Sequence, residues 1–263
     1  MKVTVLGASG SWPDRGTALS GYLVEEDGFS LWMDCGSGTM ANLQKHIGIG
    51  DVDAMLITHE HADHCVDVYP LFYARYYNRQ GPDGMPLFLP KGLDARMMSL
   101  LSEESVEGFH IGFDVHETVD GEAFEVGPFQ IRAHQMEHLG LPALGFRIST
   151  DGVTLAYTGD TGPSDAVREL ARDADVFLAE ATYQDADDLT PFHLSARQAG
   201  EIATDAGVDE LVLTHLLPSR DAAVSLDEAS QAFHGQLGAA VEGLVLSLGH
   251  DAPPGHHRSA RTR

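Results

Sequence analysis

Three imidazoles and a carboxylate fall within one short run, His59, His61, Asp63 and His64, directly after the apolar segment Ala54 to Ile57. In an extended chain residues two apart share a side, so His59, His61 and Asp63 can converge while His64 reaches in from the turn that follows. Imidazole nitrogens joined by a hard carboxylate oxygen suit zinc first, with manganese, iron or cobalt as alternatives. The chain holds 14 histidines in 263 residues. Even at that usage, these four offsets would arise by chance in roughly one such chain in several hundred. The run reads as half of a two-metal site.

The other half has to come from elsewhere. His138 follows the run Phe129 to Gln135, Asp160 lies in Leu155 to Thr161, and His215 closes Leu211 to Thr214. Each stands where a strand would end, at the edge of a sheet that can hold it firmly. A lone histidine after a strand is usually an ordinary polar end-residue; recurrence beside the opening motif favours a shared site. His134 competes with His138 for the third-strand position. Cys35 and Cys65 read as small buried residues, neither ligands nor a disulfide framework.

Such residues need a rigid frame. Apolar runs bounded by Gly, Asp and Pro predict strands over 2–6, 21–25, 30–34, 54–57, 129–135, 144–149, 153–158, 176–179, 211–214 and 244–248. Helical patterns fall over 38–47, 64–78, 93–104, 164–172, 195–206 and 225–237. Early strands come as a meander and later ones alternate with helices, which argues for an α/β architecture of two sheets flanked by helices. In 64–78, Val66, Tyr69, Phe72, Tyr73 and Tyr76 share a core-facing stripe, with Leu71 and Tyr77 away from it. The surplus aromatics make a candidate homodimer face or pocket wall. With 43% hydrophobic residues, and no repeat or linker, the chain is expected to form a single domain over 1–254. The basic tail 255–263 is expected to be disordered.

Charge narrows the partners. Sixteen Lys and Arg stand against 40 Asp and Glu, a net −24, and a field of that sign repels long nucleic acid. No run approaches the roughly 18 apolar residues that would span a bilayer, and the first residues read as a strand rather than a signal peptide. Cytoplasmic residence, without a membrane partner, is the expectation.

The His-x-His-x-Asp-His run and the three later strand ends resemble the metallo-β-lactamase superfamily of metallohydrolases along nearly the whole chain. That resemblance implies a four-layer αβ/βα sandwich with a dinuclear centre at one edge. It implies His59, His61 and His138 on one metal, Asp63, His64 and His215 on the other, Asp160 bridging both, and Asp34 orienting a ligand imidazole. Members that use two irons for redox chemistry carry Glu where this chain has His61, and members that cleave β-lactams usually lack the counterparts of His64 and Asp160. Hydrolysis of something other than an antibiotic is implied.

Leu178 to Thr182 and Phe192 to Gly200 are similar to the paired motifs of the phosphodiesterase branch, which includes the ribonuclease Z-type transfer-RNA 3′-processing endonucleases. There Glu180 and His193 would face each other near the metals, His193 serving the departing oxygen, while Asp63 and Asp160 position the attacking water. The RNA-processing enzymes insert a basic arm between the elements matching His138 and Asp160. Here that interval is short and filled by two predicted strands. With Gly7 to Ser11 and Leu213 to His215 followed by Pro218, the chain looks most like actinobacterial cyclic-nucleotide phosphodiesterases of this superfamily. A compact phosphodiesterase for small phosphodiesters is the leading expectation; a ribonuclease Z-like endonuclease and a thioester, lactone or persulfide enzyme are the alternatives. Specificity is expected in the loops Trp12 to Thr17 and Asn78 to Pro86.

Overall fold

Two seven-stranded sheets face each other in the computed structural model, which describes residues 1–249. The expected tail 255–263, and the last residues of the expected domain, lie outside the described residues. The first sheet contains β1 (Lys2–Gly7), β2 (Gly21–Glu26), β3 (Phe29–Cys35), β4 (Ala54–Leu56), β5 (Met85–Pro90) and β6 (Phe113–Thr118). The second contains β7 (Ala123–Val126), β8 (Phe129–Met136), β9 (Ala143–Thr150), β10 (Val153–Tyr157), β11 (Val176–Glu180), β12 (Glu210–Thr214) and β13 (Gln236–Ala239). A final strand, β14 (Val245–Ser247), returns to pair antiparallel with β1 in the first sheet.

Each sheet is antiparallel in one half and parallel in the other, in the orders β14-β1-β2-β3-β4-β5-β6 and β13-β12-β11-β10-β9-β8-β7. The parallel halves carry crossover helices outside the sheets. Against the first lie α1 (Thr39–Leu43), α2 (Ala62–Cys65), α3 (Val68–Phe72), α4 (Leu93–Met98) and α5 (Glu103–Gly112). Against the second lie α6 (Asp165–Ala171), α7 (Ala196–Ala206) and α8 (Ala222–Ser230). The result is the expected four-layer order of helix, sheet, sheet, helix.

Three apolar cores hold these layers. Val5, Met33 and Leu56 of the first sheet meet Ile131, Phe146, Leu178 and Val212 of the second. Trp32, Phe72 and Phe109 fill the outer layer on one side, and Val167, Ile202 and Leu213 on the other. Burying each such side chain stabilises by about 1.5–3 kcal/mol, so the strand ends rest on a stiff base. Helix α7 shows how local sequence serves this. Its apolar positions Ala199, Ile202, Ala203 and Ala206 repeat at helical spacing, Ser195 caps its start by accepting from the Gln198 amide, and Gly207 at φ 72° ends it.

The expected single helix over 64–78 is broken. Pro70 has no amide proton and sits in the first turn of α3, where none is needed, so the chain must leave helix after Cys65 and start again at Val68. A π-turn over Tyr73–Tyr77 then shifts the phase, burying Leu71 and leaving Tyr73 and Tyr77 half exposed. The expected helix over 93–104 also divides, into α4 and α5. Strand β5 escaped the sequence pattern because Pro86 and Pro90 read as strand breakers. Its parallel pairing with β4, Met55 opposite Leu87, carries a further correction. The loop before β5, Asn78 to Gly84, lies at the end of the sheet opposite the one where His59 emerges from β4, and so cannot be a specificity loop over that edge.

Candidate metal centre

All the proposed ligands sit at one edge, past the carboxyl ends of β4, β8, β10 and β12, where two sheets of this topology leave a crevice. Ligand atoms of His59, His61, His138 and Asp160 gather into one group within 4.8 Å of one another, and those of Asp63, His64 and His215 into a second. Asp160, His193 and His215 form a third, overlapping group. His134 joins none of them; it stays inside β8 opposite Gly145, beside Asp120 and Arg132.

The hydrogen bonds behind the cluster settle which nitrogens face inward. Asp34 is fully buried and accepts from the Thr58 amide at 2.8 Å, the Thr58 hydroxyl at 2.8 Å and the Tyr157 hydroxyl at 2.7 Å. A carboxylate only accepts, so His64 Nδ1, 2.7 Å from Asp34, carries a proton and Nε2 is the nitrogen left to face the cluster. With its own proton spent on Asp34, the Thr58 hydroxyl accepts from His59 Nδ1 at 3.1 Å. The same logic repeats in the second sheet. Thr182 gives its proton to Glu180 at 2.8 Å and so accepts from His215 Nδ1 at 2.9 Å. His138 Nδ1 donates to the Phe192 carbonyl at 2.9 Å. Four imidazoles thereby turn their Nε2 atoms toward a common space.

That space suits a cation. His59 Nε2 and His138 Nε2 each lie 3.1 Å from His61 Nδ1, an approach that a single proton can satisfy only once. His64 Nε2 and Asp160 Oδ1 are buried without a hydrogen-bond partner, although a donor set of nitrogen and carboxylate oxygen would normally be filled. Burial holds the pKa of His59 well below the usual imidazole range and lowers that of His61, keeping both neutral, as metal ligands must be. Burial would raise Asp160 and lower His64, but their mutual attraction prevails: with His215 and His64 beside it the Asp160 carboxyl is held well below its usual range, and with Asp160 and Asp34 on either side the His64 imidazole is held well above its own, so positive charge is favoured in this space. The backbone is strained here too: Asp34 at φ 52° and His215 at φ 56° occupy the left-handed region that non-glycine residues rarely adopt.

Beside this cluster, His193 Nδ1 donates to Glu180 Oε1 at 2.8 Å. Glu180 is fully buried and also accepts from the amides of Thr161 and Thr182. Burial pushes His193 down, but the charge and hydrogen bond of Glu180 prevail and lift it to about 9. The capping box of α7 fixes Ser195 and thereby the segment that presents His193, whose partly exposed ring stacks on His215 with centroids 5.8 Å apart.

A model of the beta-lactamase superfamily domain matches residues 30–216, most of the chain and every ligand position just described. The chain belongs to the beta-lactamase superfamily. An uncharacterised protein of Mycobacterium leprae is 39% identical over 256 residues, covering 94% of this chain and 89% of its own. The probable metallo-hydrolase YhfI of Bacillus subtilis is 31% identical over 93% of this chain and 99% of its own. In the crystal structure of YhfI the match has a TM-score of 0.84 at 28% identity, covering 93% and 98% of the two chains. Ribonuclease Z of Mycolicibacterium gilvum is 29% identical over 83% of this chain and 85% of its own. Superfamily membership and the His/Asp cluster together make this a metallo-hydrolase with a site suited to divalent metal.

Sequence reasoning missed the groups that orient the ligands: Thr58, Thr182, Tyr157 and the Phe192 carbonyl. It also missed the stretch after β5, where Arg96 pairs with Glu60, the residue between His59 and His61. Arg96, Leu93, Met97 and Tyr69 line a groove of about 460 Å³ there. Asp34→Asn is expected to weaken zinc binding about 10- to 100-fold. An amide that keeps the Thr58 amide on its oxygen turns its NH₂ toward His64 Nδ1 and drives the proton onto Nε2, the atom facing the cluster. Competition against a zinc-chelating dye measures this; unchanged affinity would remove Asp34 from ligand orientation.

Proposed function

We propose that this chain is a dinuclear phosphodiesterase acting on small phosphodiesters such as cyclic nucleotides, with zinc the first-choice metal and manganese, iron or cobalt as alternatives. His59, His61 and His138 would hold one ion, Asp63, His64 and His215 the other, and Asp160 would reach both. Bound there, divalent ions would supply Lewis acidity toward a phosphoryl oxygen and an acidified water. The protein's own part is orientation and proton handling. Asp63 and Asp160 align the attacking water by accepting its hydrogen bonds. His193, held through Nδ1 by Glu180, keeps Nε2 free to donate to the departing alkoxide oxygen.

The observation that carries this reading is the Glu180–His193 pair. A thioester's thiolate departs without help from an acid, whereas a phosphodiester's alkoxide leaving group gains from a fixed proton donor beside the metal ligands. The likeness to ribonuclease Z supports phosphodiester chemistry in the same family. Small substrates are favoured because β9 and β10 fill the interval from His138 to Asp160, leaving no length for a nucleic-acid arm, and because the net charge is −24. Cytoplasmic residence fits the free, buried thiols of Cys35 and Cys65.

The test is a panel run on zinc- or manganese-loaded protein: bis-(p-nitrophenyl) phosphate, cyclic AMP, a transfer-RNA precursor and a thioester. Turnover of the first two without the third is expected. Cleavage of the precursor in preference to cyclic AMP would favour the ribonuclease Z-like reading, and turnover of the thioester alone would end the phosphodiesterase reading.

A further inference from the structure

The loop after β1 places an unusual pair of side chains beside this centre. Trp12 is 47% exposed, whereas Trp32, the other tryptophan, is fully buried. A single exposed apolar side chain is ordinary, as Tyr77 and Leu100 show here; what marks Trp12 is its place in the chain beside the ligands. Here the connection is direct. Ser11, at φ 57°, donates its amide to Asp63 Oδ2 at 3.0 Å. Gly10 packs so closely on His215 that a Cβ at this position would stand 2.5 Å from its carbonyl oxygen. Trp12 is thus the next residue after two that touch proposed ligands.

The loop is also stiff. The Trp12 amide bonds to the Gly10 carbonyl at 2.6 Å, Asp14 donates its amide to Thr17 Oγ1 at 2.8 Å, and the Ser9 hydroxyl bonds to Thr17 Oγ1 at 2.9 Å. An aromatic carried on a pre-ordered backbone binds without losing loop entropy at that moment. Three residues on stands Arg15. Among the described residues it is the one arginine whose guanidinium has no hydrogen bond or ion pair. In a chain of net charge −24, an unpaired cation on the loop that touches Asp63 and His215 offsets repulsion of an approaching anion and offers free donors.

We propose that Trp12 is a stacking platform for a planar base, with Arg15 as its unpaired donor, so that the preferred phosphodiester is a nucleotide ester. This rests on the phosphodiesterase reading and narrows its substrate class. Base-on-aromatic stacking tolerates every base, because each has a π face. Rejection of sugar phosphates lacking a base follows.

The experiment uses the zinc-loaded protein and its tryptophan emission, with adenosine 5′-monophosphate and ribose 5-phosphate as probes. The nucleotide is expected to quench the red-shifted emission of Trp12, and the sugar phosphate to leave it. In Trp12→Ala the remaining emission should not respond, and affinity for adenosine 5′-monophosphate by equilibrium dialysis should fall about tenfold. Trp12→Phe should recover most of that affinity. Equal quenching by both probes, or equal nucleotide affinity in Trp12→Ala, would overturn the proposal. Trp12-dependent binding without hydrolysis of cyclic AMP would uphold the platform and end the phosphodiesterase reading; hydrolysis without any Trp12 response would do the reverse.

Discussion

His193→Ala should keep its full metal content while kcat toward bis-(p-nitrophenyl) phosphate falls about 10²- to 10⁴-fold. The two halves of this result test different things. His193 Nδ1 is engaged by Glu180 Oε1, and the ring's nearest approach to a proposed ligand oxygen through that nitrogen, Asp160 Oδ2, is 4.0 Å. Removing the ring therefore leaves the inward Nε2 atoms of His59, His64, His138 and His215 where they are. What disappears is a donor aimed from a partly exposed position, so the loss should fall on kcat more than on KM. A fall in zinc content would instead make His193 a ligand and end its assignment to the leaving group.

Glu180 gives the companion result for the same unit. Both of its oxygens accept, Oε1 from Thr161 and His193 and Oε2 from Thr182 twice. An amide in its place turns donor against donor on one side, leaving a buried group unsatisfied at about 1–3 kcal/mol. Glu180 acts on the reaction through the histidine it holds.

The residues that could do chemistry were legible because ligand spacing and strand periodicity coincide. His59 and His61 do share a side as alternation predicts, but Asp63 does not join them: it lies in helix α2 and, with His64, belongs to the second group. Three other strands end just before His138, Asp160 and His215. The strands of the second sheet were legible for a related reason: β8 alternates Phe129, Ile131 and Ala133 inward with Gln130 and Arg132 outward. What stayed hidden depends on non-local geometry. The role of Thr58 or Thr182 follows from where its single hydroxyl proton goes, which no spacing reveals. The expected specificity loop Asn78 to Pro86 fails for the same reason: the parallel pairing of β4 with β5 places the part before β5 at the far end of the sheet. Pro70, Pro86 and Pro90 were misleading in opposite ways, one interrupting an expected helix and two disguising a real strand.

Asp160→Ala should abolish paired metal binding. One of its oxygens lies 3.2 Å from His64 Nε2 and 3.4 Å from His215 Nε2. The other lies 3.7 Å from His59 Nε2 and 3.8 Å from His138 Nε2. A single carboxylate thus lies within 4.0 Å of imidazole nitrogens in both ligand groups, and among the described residues no other carboxylate does so. Without it, each group keeps three protein ligands but loses its shared anion, and the charge that two close cations need between them is gone. Zinc content is expected to drop from two ions per chain to one or fewer, and kcat/KM by about a thousandfold or more, since several kcal/mol of transition-state stabilisation are removed at 1.36 kcal/mol per factor of ten. Thermal stability supplies an independent reading. A ligand at a thousand times its dissociation constant stabilises by about 4 kcal/mol per site, and each kcal/mol moves the melting temperature of a chain near this size by about 2–4 °C. Zinc should therefore raise the melting temperature of the wild-type chain by at least about 8 °C per site, and that of Asp160→Ala by half the total or less. Two ions and the full thermal shift in the variant would show that Asp160 does not join the two groups.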